Sequence, residues 1–353
     1  MVRSLRGEAK LNAVGELALP ELIIKHLSQR LEIESWYSRF PDIEDEPILE
    51  PLIGLGLPRT GSTALSFLLA EDPNSRSLRR WEAATPCPPP STVSGTDPRI
   101  SQVEAEQALI DELAPRLAAL VPTTPTGPEE CQDLMALDFK SHYFQAFAHV
   151  PSYSDWLLDA DLSTTYLYER RALKLLQWGE PAKPWRLKCP SHLLWLEHLN
   201  KAFPDARFVM THRDPTDVML SVVDLYAEVG RQFSDDVDPL YLGDLNVRHW
   251  TTAMERVVEF RSAHGDRRFF DMDFREVQRD PVGQVHRLYS WLGEDVTPAF
   301  EDGMRKWWAR HGADREANIH PEASEFGLDV EELRMRFAPY TARIGEWTAR
   351  EPL

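Results

Sequence analysis

A loop with phosphate-binding chemistry follows the first short apolar run of the chain. Gly56 and Gly61 are separated by four residues, and Ser62 and Thr63 then open a segment with helical periodicity. This spacing is typical of a loop whose backbone N–H groups bind a phosphate at a helix N-terminus. Such loops usually carry a lysine beside the hydroxyl residue, whereas this chain has two hydroxyl residues there. The pattern therefore predicts an anion site whose positive charge comes from other positions.

Basic residues near three predicted strand ends supply that charge. Arg59 lies within the loop beside Thr60, Lys188 ends a second apolar run, and Arg213 ends a third. Ser221 follows Arg213 by eight residues, in the second turn of a predicted helix. Guanidinium groups and hydroxyls are good donors to phosphate oxygens, so these residues together indicate an anionic ligand. Each feature also has a simpler explanation. The loop is explained by an ordinary glycine turn, Arg213 by an ion pair with a nearby aspartate, and Lys188 by a strand-end lysine that reaches solvent.

The elements that must position these residues alternate between strand and helix patterns. Apolar runs at 51–57, 185–190, 206–213 and 267–274 predict strands, and segments with helical periodicity separate them. This alternation is typical of a three-layer, P-loop-like α/β fold, in which a central parallel sheet has helices on both faces. Ligands of such sheets bind beyond the carboxyl ends of the strands, where the basic residues fall.

We predict one domain over residues 1–353, because no internal repeat is present and no feature demands a second domain. Residues 1–48 are interpreted as a helical N-terminal extension. Residues 84–180 are rich in Trp, Tyr, Phe and Leu and are interpreted as a helical insertion or lid that lines an apolar acceptor pocket. Pro115 is expected to kink or split one helix of this insertion.

Composition narrows the classes of partner. The formal net charge of −18 argues against nucleic acid, although an acidic protein can still hold one small anion in a local basic pocket. Cys87, Cys131 and Cys189 form no CxxC pair, which favours a reducing compartment. No apolar run reaches the roughly 20 residues that a membrane helix needs. We expect a cytoplasmic protein with no integral membrane segment, and a homodimer is compatible with the sequence.

Together these motifs resemble a known family, the sulfotransferases that use 3′-phosphoadenosine 5′-phosphosulfate (PAPS). "LPRTGST" is similar to their 5′-phosphosulfate loop in its arginine-bearing form, and "HRDPTDVMLS" to their 3′-phosphate segment. "DMDFREVQRDPVGQVHRLYSWLG" resembles a later family segment, and "HPEASEFGLD" (320–329) resembles a C-terminal loop of bacterial members. The resemblance runs from residue 52 to 340, with the motifs in the family's order.

The resemblance implies a reaction and its ligands. A sulfuryl group would pass in line from PAPS to a hydroxyl or amine of a small hydrophobic acceptor, such as a phenol, alcohol, sterol or lipid. The product of the donor would be 3′,5′-adenosine bisphosphate. No metal is implied, since a sulfonate carries less charge than a γ-phosphate.

The resemblance also implies roles for individual residues. Lys188 would stabilise the bridging oxygen, while Arg213 and Ser221 would bind the 3′-phosphate. Phe274 stands where many relatives have a tyrosine that touches the cofactor, so a hydroxyl is missing there. The loop residues expected to bind the 5′-phosphosulfate are Arg59, Thr60, Gly61, Ser62 and Thr63.

Two residues compete for the role of general base. Glu82 lies at about the family's spacing after the loop, and its simpler explanation is a surface partner for a neighbouring arginine. His192 lies four residues after Lys188, whereas the family's histidine base lies two residues after its lysine. We favour Glu82, with His192 next and Glu129 and Glu130 as weaker candidates.

Two other readings of the chain remain open from sequence. A P-loop kinase would need a lysine at position 62 and a carboxylate for magnesium, and the sequence offers neither. A catalytically idle nucleotide-binding protein would keep the fold but have no transfer activity.

The C-terminal contact to the 3′-phosphate has no clear match to the family, and Arg315 and His320 are the candidates for it.

Overall fold

The computed structural model describes residues 1–311 and 321–349. The chain divides into two compact units. The helical unit consists of Met1–Leu49, Leu78–Ala182 and Leu225–Asp238, and the sheet unit consists of Glu50–Ser77, Lys183–Asp224 and Pro239–Leu353. The predicted N-terminal extension and the predicted insertion therefore belong together in the helical unit.

A parallel sheet forms the centre of the sheet unit. Its strands, in chain order, are β1 (Leu52–Gly56), β2 (Arg76–Ser77), β3 (Trp185–Lys188), β4 (Arg207–His212) and β5 (Phe269–Asp273). Their spatial order is β2-β3-β1-β4-β5, and every pairing is parallel. The central strand β1 is buried along its whole length, as expected for a strand covered on both faces. The predicted α/β fold is confirmed, and β2 is the strand that was not predicted.

The α-helices of the described residues, in chain order, are α1 (Val2–Gly7), α2 (Ala13–Arg39), α3 (Ser62–Ala70), α4 (Arg80–Ala84), α5 (Pro98–Leu113), α6 (Pro115–Leu120), α7 (Gln132–Ala136), α8 (Phe144–Phe147), α9 (Pro151–Leu158), α10 (Ser163–Gln177), α11 (Leu196–Ala202), α12 (Pro215–Arg231), α13 (Pro239–His264), α14 (Phe274–Arg279), α15 (Pro281–Leu292), α16 (Pro298–His311) and α17 (Val330–Thr348). The predicted split at Pro115 is confirmed, since α5 ends before it and α6 begins with it. Proline lacks the N–H that a continuous helix would need there.

Alternating side chains of the strands pack against helices on the two faces of the sheet. On one face, Val209 and Phe270 join a buried cluster with apolar residues of α3, α15 and α16. On the other face, the ring of Phe260 in α13 lies 6.4 Å from Phe208 and 6.1 Å from Phe269, measured between centroids. Successive strand residues point to opposite faces, so β4 and β5 each contribute to both layers.

The helical unit contains a buried carboxyl group, and the effect of this group on stability tests how the unit is packed. Glu169 lies on α10 and is fully buried. Burial raises the pKa of Glu169 to about 8, although a hydrogen bond with Cys131 partly opposes the shift. The folded protein therefore keeps this proton at neutral pH, where the unfolded chain loses it. The free energy of unfolding therefore falls as the pH rises from the pKa of a glutamate in the unfolded chain, about 4.3, towards 8.

Glu169→Gln is expected to stabilise the protein by about 3 kcal/mol near pH 7, because the amide has no proton to lose on unfolding. The gain should be small at pH 5 and should grow up to pH 8. Urea unfolding of both proteins at several pH values measures it, with exposed Glu104→Gln as the control. A gain that stays constant with pH would contradict the burial of this group as a protonated acid.

Candidate active site

The anion loop, residues 57–63, joins β1 to α3 through unusual backbone conformations. The φ angle is +136° at Gly56, +65° at Arg59 and +87° at Gly61. A Cβ at Gly56 would lie 2.6 Å from the carbonyl oxygen of Thr211, so only glycine fits there. The left-handed backbone of Arg59 costs about 1–3 kcal/mol, a strain that concentrates at binding sites. Because α3 begins directly after Gly61, its first N–H groups point towards the loop.

The side chain of Thr60 holds the anion loop from within. Its hydroxyl donates to the carbonyl oxygen of Leu57 at 2.7 Å and lies 2.6 Å from Oγ1 of Thr211 in β4. Thr60 is 1% exposed. These contacts tie the loop to the end of the neighbouring strand and give Thr60 a role in loop shape. Its role as a direct donor to an anion stays a prediction.

Arg59, Arg213 and Ser221 meet at the anion loop although they come from distant parts of the sequence. Arg59 Nε donates to Ser221 Oγ at 3.0 Å, and Arg213 Nη1 donates to the Arg59 carbonyl oxygen at 3.1 Å. The ion pair of Arg213 with Asp217 is long, with 3.8 Å between Nη2 and Oδ2, and the Asp217 side chain is 60% exposed. Exposed pairs of this kind contribute little. The ion pair with Asp217 therefore contributes little, and the anion-binding role of Arg213 stays a prediction.

Phe274, the first residue of α14, packs against Arg213 and the anion loop. The guanidinium carbon of Arg213 lies 4.8 Å from the Phe274 ring centroid, within cation–π range. A Cβ at Gly61 would lie 3.0 Å from Cδ2 of the same ring. Gly61 is thus required both by its positive φ and by the space the ring occupies. Phe274 fixes Arg213 and the loop by packing, without the hydroxyl that a tyrosine would bring.

Lys188 is buried beside the anion loop at the end of β3. It is 6% exposed, and its Nζ lies 3.5 Å from Oγ1 of Thr63. Gly54 is its register partner in β1, and a Cβ there would lie 3.1 Å from Lys188 Cγ. The absence of a side chain at Gly54 therefore makes room for the lysine. Burial rules out the simpler explanation of a lysine that reaches solvent.

A buried polar network supports the end of β4, and it was missed from sequence. His212 Nε2 lies 2.8 Å from Asp271 Oδ1, and His212 Nδ1 lies 2.8 Å from the Tyr340 hydroxyl. Arg261 donates to both carboxylate oxygens of Asp271, at 2.7 and 2.8 Å. Burial would raise the pKa of Asp271, but hydrogen bonds from Arg261 and His212 outweigh it and lower the pKa to about 2. Because His212 directly precedes Arg213, the network fixes the backbone from which Arg213 departs.

His192 lies in a 3-10 helix, Pro190–Trp195, that follows β3. It is fully buried, and burial lowers the pKa of its imidazole to about 3. A general base works best when its pKa lies near the operating pH. An imidazole with so low a pKa takes up a proton poorly at neutral pH, which disfavours His192 as the base.

Glu82 lies in the helical unit, on the short helix α4. It is 3% exposed, and its Oε2 accepts a hydrogen bond from the Arg79 backbone N–H at 3.0 Å. This is the glutamate half of a capping box, in which the side chain satisfies a donor at the helix start. Burial excludes the simpler explanation of a surface partner for a neighbouring arginine. Glu82 is thus a carboxylate held in one orientation by its own helix.

The weaker candidates for the base lie before α7. Glu129 and Glu130 are half-buried, and Glu130 N–H donates to Glu129 Oε1 at 3.0 Å. Burial, followed by the negative charges of these two glutamates, raises the pKa of Asp133 to about 8.

Arg315 and His320, the candidates for a C-terminal phosphate contact, lie outside the described residues.

Comparison with protein families places most of the chain in one of them. The family described as the sulfotransferase family matches residues 51–298, which is more than half of the chain. The matched segment includes the anion loop, Lys188, Arg213 and Ser221.

No helix among the described residues is both long and apolar enough to cross a membrane.

Individual relatives agree with this assignment. The structure of sulfotransferase STF9 from Mycobacterium avium is 35% identical, with a TM-score of 0.89, and the match covers 97% of this chain and 88% of STF9. Sulfotransferase STF1 from Mycobacterium tuberculosis H37Rv is 30% identical, with a TM-score of 0.84, over 96% of this chain and 90% of STF1.

A curated relative matches a shorter part of the chain. Omega-hydroxy-beta-dihydromenaquinone-9 sulfotransferase Stf3, from Mycobacterium tuberculosis and Mycobacterium bovis, is 28% identical over 148 residues. The match covers 41% of this chain and 38% of the length of Stf3. Since the family match and the two solved structures extend over most of the sequence, the chain belongs to the sulfotransferase family.

Proposed function

We propose that the protein transfers a sulfuryl group from PAPS to a hydroxyl of a small hydrophobic acceptor. The observation that carries this proposal is the meeting of Arg59, Arg213 and Ser221 at the anion loop, through contacts of 3.0 and 3.1 Å. Two guanidinium groups and a hydroxyl at one sheet edge suit a ligand with more than one phosphate-like group. In a protein of net charge −18, two guanidinium groups beside one loop favour a small anion as the ligand.

The donor set fits PAPS at both ends of the nucleotide. Arg59 and the N–H groups at the start of α3 would hold the 5′-phosphosulfate, while Arg213 and Ser221 would hold the 3′-phosphate. Phe274 would limit the pocket beside Arg213. PAPS, when bound, supplies the sulfuryl group and a nucleotide leaving group. We propose that no metal is needed, because Lys188 and Arg59 already bring two cations to a group of low charge.

Two side chains would carry the chemical step. Negative charge develops on the oxygen that leaves the sulfur, and the buried ammonium of Lys188 would stabilise it there. The acceptor hydroxyl must lose its proton as the new S–O bond forms, and Glu82 would take that proton. His192 is the second candidate for this role, but its low pKa makes it the weaker base.

The aromatic side chains of the helical unit support a hydrophobic acceptor. The rings of Tyr143 and Phe144 lie 4.6 Å apart, and those of Tyr143 and Phe147 lie 4.7 Å apart, measured between centroids. Apolar and aromatic side chains are the usual lining of a site for a hydrophobic ligand. The relative Stf3 is named for a hydroxylated menaquinone. We therefore propose a hydroxylated lipid or phenol as acceptor, and the cytoplasm as the site of action.

Ligand-induced stabilisation tests the proposed donor. We expect 3′,5′-adenosine bisphosphate to raise the melting temperature strongly, because a ligand that binds only the folded state stabilises it. ATP with Mg²⁺ should have a smaller effect. Stabilisation by ATP with Mg²⁺ alone would contradict the proposal and favour a kinase. Stabilisation by both, without transfer activity, would favour an idle nucleotide-binding protein.

Arg213→Ala is expected to weaken binding of 3′,5′-adenosine bisphosphate by about 10–100-fold, since a hydrogen bond to a charged group contributes about 1.5–3 kcal/mol. Binding of adenosine 5′-phosphate, which lacks the 3′-phosphate, should change far less. Calorimetry with both ligands measures the difference, and exposed Arg305→Ala is the control. Equal losses for the two nucleotides would show that Arg213 does not contact the 3′-phosphate.

A further inference from the structure

Helix α4 depends on its surroundings for its position. It has five residues, Arg80–Ala84, and a helix this short is not stable in isolation. Its first N–H groups bond to the loop before α7: Arg80 N–H donates to the Gly127 carbonyl oxygen at 2.9 Å, and Trp81 N–H to that of Pro125 at 3.2 Å. The start of α4 is therefore held by backbone contacts, which side-chain substitutions leave in place, and by the Glu82 carboxylate, which accepts from the Arg79 N–H.

Two buried side chains hold the other end of α4. Gln29 Nε2 donates to the Ala84 carbonyl oxygen at 2.5 Å, and Arg99 Nη1 donates to the Thr85 carbonyl oxygen at 2.8 Å. The last carbonyls of a helix have no partner within the helix, so these donors satisfy carbonyl groups at a half-buried helix end. Gln29 and Arg99 are each 5% exposed.

The guanidinium of Arg99 is itself held rigidly. Arg99 Nε and Nη2 donate to the two carboxylate oxygens of Asp97, at 2.9 and 2.6 Å. Hydrogen bonds from Arg99 lower the pKa of Asp97, so the carboxylate stays ionised although the residue is buried. The guanidinium carbon also lies 4.6 Å from the ring centroid of Trp81, the residue before Glu82. Arg99 thus contacts α4 at both its C-terminal carbonyl and its aromatic side chain.

We infer that Arg99, held by Asp97, is a positioning residue for Glu82 in the transfer reaction. Glu82 sits one residue after the ring that Arg99 covers and three residues before the carbonyl that Arg99 binds. Loss of this clamp removes one of the two side-chain donors at the C-terminal end of α4 and leaves the donor of Gln29, so the carboxylate shifts relative to the proton it must take. The inference rests on the proposed role of Glu82 as the base.

A double-mutant cycle separates positioning from general stabilisation. The first variant is Asp97→Asn/Arg99→Met, which removes both charges together and keeps an acceptor for the start of α5. We expect kcat to fall by about 10–100-fold, because small misplacements of a catalytic group have effects of this size. Binding of 3′,5′-adenosine bisphosphate should stay unchanged. The same change made in a Glu82→Gln protein should lower kcat by less than about 3-fold, because residues that act through one another are not additive.

The outcomes distinguish this inference from the proposed function. If Glu82→Gln alone leaves kcat unchanged, the base assignment is wrong and the clamp has nothing to position. If Glu82→Gln lowers kcat but the clamp variant lowers it equally in both backgrounds, the inference is overturned while the base assignment stands. Arg30→Met/Asp138→Asn, which removes another ion pair of the helical unit, is the control and should leave kcat unchanged.

A milder variant keeps the inference testable if the clamp variant does not fold. Gln29→Met removes the donor to the Ala84 carbonyl oxygen, together with the contact of Gln29 with His26, and preserves the Asp97–Arg99 pair. We expect a smaller loss of kcat in the same direction, which disappears in the Glu82→Gln background. A loss that persists in that background would overturn the inference.

Discussion

Glu82→Gln is expected to lower kcat by about 10²–10⁴-fold, the range that general acid–base catalysis contributes. Glutamine has nearly the same size, and its amide oxygen can still accept the Arg79 N–H that Glu82 accepts at 3.0 Å. The capping of α4 should therefore survive, and only the ability to take a proton is lost. Single-turnover transfer from PAPS measures the effect, with calorimetry of 3′,5′-adenosine bisphosphate to show that donor binding is intact.

Three matched variants show whether the effect belongs to Glu82. Glu129→Gln and Glu130→Gln remove the two weaker candidates and should change kcat by less than about 3-fold, because the proposal gives neither of them the acceptor's proton. His192→Gln tests the second candidate. A larger loss from His192→Gln than from Glu82→Gln would reverse the assignment of the base.

Lys188→Met is expected to lower kcat by about 10²–10³-fold, the usual cost of removing one group that stabilises charge in a transition state. Methionine fills the space that Gly54 leaves for the lysine side chain, so the anion loop should keep its shape. Binding of 3′,5′-adenosine bisphosphate should weaken much less, because charge on the bridging oxygen develops only as the sulfuryl group leaves. Parallel measurements of kcat and nucleotide affinity separate the two effects.

The control for Lys188 lies on the same segment of chain. Lys183 is exposed and donates to the Pro73 carbonyl oxygen, so Lys183→Met removes an equal charge without touching the anion loop. It should leave kcat unchanged. If both lysine variants lose activity to the same extent, net charge explains the loss and the role of Lys188 is contradicted.

Much of the sheet unit could be predicted because its signals are local. Each long strand is an apolar run, and period and flanking residues identify such runs directly. The split at Pro115 follows from the chemistry of one residue. By contrast, β2 has two residues, too few for any pattern to be visible. The grouping of three separate segments into the helical unit likewise leaves no local signal in the sequence.

The candidate site could be predicted only where its residues lie in short motifs. Arg59, Arg213 and Ser221 stand in two such motifs, and the structure brings them together at the anion loop. Their roles in binding an anion stay predictions. The support behind them could not be predicted: His212, Asp271 and Tyr340 are brought together across 128 residues of sequence. The histidine directly before Arg213 was the available signal. The role of Gly54 in making room for Lys188 likewise depends on strand register, which the sequence does not state.

The most direct test of the account is transfer of labelled sulfur from PAPS. The protein, incubated with sulfur-labelled PAPS and a series of hydroxylated lipids and phenols, should label at least one acceptor and form one 3′,5′-adenosine bisphosphate for each label transferred. Arg59→Ala, which removes a cation of the anion loop, should lose this activity, while Arg305→Ala should keep it. Phosphate transfer from ATP with Mg²⁺, without any sulfur transfer from PAPS, would contradict the account.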